Sequence, residues 1–143
     1  MMLNRIICIG NRFHPEDCCG PQVYDLLLER TLPAHTEVID GGLGGINLLT
    51  CLEHVDRVLF VDAVAGFAAG DDIVVIKDPV NALQIDDTFG HNAGLGYLLR
   101  VAPMIVETRM PEILLIGING TPDNRLCNQA ADTCLSILQS AFQ

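Results

Sequence analysis

Lysine is almost missing from this sequence. Lys77 stands alone beside seven scattered arginines, and against eighteen acidic residues the formal charge is −10 over 143 residues. A nucleic-acid surface needs clustered cations to neutralise phosphates, and none is present; an anionic bilayer surface is disfavoured for the same reason. Serine is scarce too. Ser136 and Ser140 both lie near the C-terminus, far from any predicted strand end, which removes a serine nucleophile. No GxGxxG follows the first apolar segment and no G-K-[ST] occurs, so the dinucleotide and phosphate-loop signatures are absent. No apolar run reaches the ~18 residues of a membrane span, since Arg57, Asp62, Asp71, Asp72 and Arg100 interrupt every candidate. The N-terminus lacks a cationic stretch followed by an apolar segment and a cleavage site, so the expected location is cytoplasmic.

What is present suits one globular domain over residues 1–143, since half the chain is apolar. Six cysteines do not imply disulfides in a chain with this much core. Cys8 lies inside an apolar strand-like run, and Cys127 and Cys134 fall on one face of a predicted helix, where cysteine acts as a small hydrophobe. Strands are expected at 5–10, 36–39, 57–61, 73–76 and 112–116. Helices are expected from Gly20-Pro21 to about residue 30, over about 46–53, over about 91–101, and after Thr121-Pro122-Asp123. This alternation predicts a three-layer α/β/α domain with a mostly parallel, twisted sheet of about five strands. The connection between 61 and 73 has no room for a crossover helix. It therefore predicts an antiparallel pair with the later strand at an edge.

Ligands of such sheets bind beyond the C-terminal strand ends, near a topological switch point. That rule selects the loops following Gly10, Ile39, Val61 and Gly90. Glu16 and Asp17 close the first of them, just before a helix start, where acids often do no more than complement the helix dipole. Asp62 follows an apolar strand, and a carboxylate buried there must be paired or hydrogen-bonded. His91 stands at the start of a predicted helix, where a lone histidine is usually a cap or a surface residue. Taken together, Asp17, Asp62 and His91 form an O,O,N donor set with open positions, suited to a borderline divalent cation such as zinc or nickel. A rival set, His14, Cys18 and Cys19, matches no common zinc spacing. His35 and His54 read as solvated.

The chain also resembles the [NiFe]-hydrogenase maturation endopeptidases. The resemblance rests on IICIGN with Asp17 six positions after Asn11 and Gly20 three further on. To these are added the turn DGGLGG at 40–45, FVDAV with Asp62, and His91 after an irregular stretch. It runs in order along essentially the whole chain. It implies an endopeptidase that removes the C-terminal extension of a hydrogenase large-subunit precursor once nickel has been inserted. Asp17, Asp62 and His91 would then contact the nickel carried by the substrate, with Glu16 a secondary candidate. No cofactor would be permanently bound, although zinc or cadmium could occupy the same place. Three departures stand out: Cys18-Cys19 after the acidic position, Leu43 where the family commonly has threonine, and no serine shortly before His91. Competing expectations are a non-catalytic module that binds the nickel-loaded precursor, and a metal-dependent amidohydrolase of a small substrate.

Overall fold

A computed structural model describes residues 2–83, 94–121 and 123–140. Its strands are β1 (Asn4–Cys8), β2 (Thr36–Asp40), β3 (Arg57–Val64), β4 (Asp72–Ile76) and β5 (Glu112–Asn119). The helices are α1 (Cys19–Leu28), α2 (Pro79–Ala82), α3 (Leu95–Ile105) and α4 (Asn124–Ser140), with a 3-10 segment over Ile46–Leu52.

The strands form one sheet in the order β2-β1-β3-β5-β4, parallel except for β4 against β5. Side chains alternate across it, because successive residues of a strand face opposite ways. Ile6, Cys8, Leu59, Val61 and Ile116 meet α1 and α4 on one face. Ile7, Val58, Phe60 and Leu115 meet α3 and the 3-10 segment on the other. The three-layer α/β/α architecture is as expected. Cys19, Val23 and Leu27 give α1 its buried stripe, and Cys127 and Cys134 are buried in α4.

β4 is the antiparallel edge strand, yet its neighbour is β5 and not β3, because the later β5 inserts between them. Buried Asn119 at the end of β5 fixes the intervening loop. Its Oδ1 accepts from Phe67 N–H at 3.1 Å and its Nδ2 donates to Gly70 O at 2.8 Å. β3 continues three residues past Val61, so Asp62 lies within the strand, opposite Gly117. α3 is described from Leu95, directly after Gly94, whose φ of 102° is outside the helical region; the expected start at His91 lies outside the described residues. The last helix is capped by Asp123, whose Oδ1 accepts from Leu126 N–H at 2.7 Å; Thr121 N–H is instead bound by Asp71 at 3.1 Å.

Candidate functional site

β1 leads through α1 to β2 on one side, while the chain after β3 goes to the other side of the sheet. The crevice beyond β1 and β3 is therefore the switch point. Ile9 N–H still donates to Val61 O at 2.8 Å, and the next residue then leaves β3: Gly10 N–H donates to Gly42 O at 2.8 Å. Just past this divergence stands Asp62, on the face of β3 that also carries Phe60 and Val64.

Two glycines fold the first loop back onto the strand end. A Cβ at Gly20 would lie 1.9 Å from Ile9 O, so only glycine lets α1 start directly against the β1 backbone. A Cβ at Gly10 would lie 2.3 Å from Asp17 O, which accepts Asn11 N–H at 2.8 Å. The loop closes on itself and returns Asp17 to the crevice. Asp17 is half-buried there, whereas Glu16 is exposed. Neither acid makes a side-chain cap on α1, so the helix-dipole role expected of them is not expressed as a hydrogen bond.

The two aspartates feel one another. The Asp62 carboxyl is pushed up to about 7, first by burial and then by the negative charge of Asp17; a hydrogen bond from Ala63 N–H at 2.8 Å acts only weakly against this. Burial and a like charge both penalise the ionised form. Among the described residues neither carboxylate has an arginine or lysine partner. The nearby Arg12 is committed to Asp25, at 2.8 and 3.0 Å, and reaches Asp40 at 3.7 Å.

His91 lies outside the described residues. What is described is the frame on either side of it. Helix α3 packs on the Asp62 face of the sheet, with its C-terminal end beside Glu53 at the strand starts and its N-terminus at the strand ends. No group of three His, Cys, Asp or Glu side chains suited to a metal ion occurs among the described residues. The rival set is dispersed. His14 Nδ1 accepts Glu16 N–H at 3.2 Å, Cys18 donates to Pro15 O at 3.6 Å, and Cys19 is buried.

In the turn 40–45, Gly41 and Gly44 serve packing, since a Cβ would meet Ile7 at 2.8 Å and Ile9 at 2.7 Å respectively. At Gly42, with φ of 58°, a Cβ would point into open space, while its N–H donates to Asp40 Oδ1 at 3.1 Å and its C=O accepts from Gly10. The sequence reading missed Asn119. A buried asparagine closing an otherwise apolar strand is its only signal.

The model of the hydrogenase maturation protease (HycI) family matches residues 21–122. The chain belongs to the hydrogenase maturation protease family. The hydrogenase 2 maturation protease of Escherichia coli (strain K12) is 27% identical over 97 residues, covering 66% of this chain and 59% of that relative. The match thus spans less than two thirds of the relative's length. Among solved structures, the hydrogenase-maturating endopeptidase HybD from Escherichia coli superposes with a TM-score of 0.80 at 22% identity, covering 98% of this chain and 94% of that one. The [NiFe] hydrogenase maturation protease HycI from Thermococcus kodakarensis KOD1 gives a TM-score of 0.68 at 18% identity, covering 96% and 90%. At these identities the structural likeness speaks for the fold. The family model carries the membership.

Proposed function

We propose that this chain is an endopeptidase that removes the C-terminal extension of a [NiFe]-hydrogenase large-subunit precursor after nickel insertion. Asp17, Asp62 and His91 contact the nickel that the substrate carries. The observation that carries this reading is the aspartate pair at the switch point, partly buried and without a cation. A divalent ion there would offset both causes that raise the Asp62 carboxyl, so the pair favours a substrate that brings its own positive charge. The protein needs no resident cofactor; zinc or cadmium takes the same place when offered alone. Six free cysteines accord with a cytoplasmic site of action.

Nickel gripped by these residues fixes the precursor tail across the strand ends, and such positioning lowers the barrier with no covalent intermediate. The empty Cβ position at Gly42 leaves room beside the turn for an extended peptide. Water adds to the scissile carbonyl; a carboxylate of the pair takes its proton and returns it to the departing amine.

Mass spectrometry of nickel-loaded precursor mixed with the protein tests this reading. The expected result is loss of the tail with wild type and an intact mass with Asp17→Asn, Asp62→Asn or His91→Ala, each folded by circular dichroism. Wild-type shortening by all three variants would dispose of the assignment. Complex formation without shortening would make the chain a binding module, and stoichiometric zinc after purification would favour a small-molecule amidohydrolase.

A further inference from the structure

Large apolar side chains stand exposed on the connections that follow β1, β2 and β3, at the end of the sheet where the aspartate pair lies. Phe13 belongs to the loop after β1, Leu43 and Ile46 to the connection after β2, and Phe67 to the loop after β3. Two are extreme, Phe13 at 95% and Leu43 at 71% exposure. These are held positions and not loose ends. Phe13 N–H donates to Asn11 Oδ1 at 2.9 Å, and the Gly10–Gly42 bond joins the first two loops. Leu43 is carried between Gly42 and Gly44, whose φ values of 58° and 72° shape the turn that projects it. The same end of the sheet exposes Glu16, Asp40 and Asp71, with Arg12 held between Asp25 and Asp40.

Several large exposed apolar side chains gathered on the loops at one end of a sheet point to contact with another macromolecule. The charge selects which kind. A second copy would bring an equally acidic rim and a net charge of −10 against this one, and nucleic acid is repelled. We infer that Phe13 and Leu43 are specificity-determining contacts, which seat large apolar side chains of a precursor segment that also carries lysine or arginine. The inference rests on the function proposed above and names the chemistry of the segment that function requires. Neither side chain is engaged by the fold, so both gain by being covered, and their replacement leaves the folded state intact.

The test is steady-state processing of nickel-loaded precursor by Phe13→Ser, Leu43→Ser and the double variant. KM is expected to rise about tenfold for each substitution, as for central interface residues, with kcat within about twofold and unchanged thermal unfolding. Added salt is expected to raise the wild-type KM by screening the basic segment. A double variant with wild-type KM, or one that loses kcat alone, would overturn the assignment, and a KM indifferent to salt would overturn the basic segment. Asp62→Asn, run alongside, separates the two readings. If it is inactive while the double variant is normal, only the rim assignment falls; if it, Asp17→Asn and His91→Ala are all fully active, the function itself is wrong.

Discussion

At the strand starts, Glu53 accepts Glu107 N–H at 2.6 Å and Thr108 N–H at 3.0 Å, and these bonds hold its carboxyl below the usual range. Around it, Arg5 pairs with Glu37 and donates to Cys51 O and Glu53 O, and Asp56 binds Leu3 N–H. At the strand ends, Asp62 has one short-range hydrogen bond and a like charge facing it, and its carboxyl is pushed up to about 7. The same chemical group is thus stabilised as an anion at one end and penalised as an anion at the other. A carboxyl pair whose ionised form is penalised in a crevice is the kind of arrangement found at functional sites, and this is what the function proposed above draws on.

The largest expected effect breaks the strand-end side of this contrast. Asp62→Asn should lower processing of nickel-loaded precursor by about 10³-fold or more, read as the rate of mass loss. Next comes the packing that returns Asp17 to the crevice. Gly20→Ala places a methyl 1.9 Å from Ile9 O and should cost about 3 kcal/mol of stability in chemical unfolding.

The third prediction sets the two ends against each other. A carboxyl whose folded value is raised loses stability as pH climbs from the unfolded value, ~4, to about 7, after which the penalty stays constant. Asp62→Asn should therefore stabilise the protein at pH 8, by at most about 4 kcal/mol, and be close to neutral near pH 4. Glu53 behaves oppositely, since its lowered value gives stability that is present above the unfolded value and lost as pH falls through the folded one. Glu53→Gln should lower the Tm slightly at pH 8, with the difference disappearing in acid and processing unchanged.

The sheet was legible because its strands are short apolar runs separated by helical stripes, a pattern that burial on both faces requires. Which strand lies beside β4 was not legible. That choice depends on β5, forty residues later, entering the sheet and on Asn119 pinning the loop before β4. Asp17 and Asp62 could be singled out because the strand-end rule places their loops at one end of the sheet and the family resemblance falls on both; taken singly, Asp17 read as a helix-dipole acid. Their mutual repulsion depends on Gly10 and Gly20 folding the first loop back, a close approach that spacing alone does not encode. The satisfied acids at the other end were equally opaque. Glu53 finds its donors at Glu107 and Thr108, far along the chain.

Asp17 and Asp62 are proposed to form a charge-repelling pair kept for a cation. A carboxyl-carbon NMR titration of Asp62 measures this directly, in wild type, in Asp17→Asn, and with cadmium present. A midpoint near 7 is expected in wild type, with a lower one in Asp17→Asn and an ionised carboxylate throughout neutral pH once cadmium is added. A midpoint in the ordinary aspartate range, unmoved by Asp17→Asn or by the metal, would contradict it.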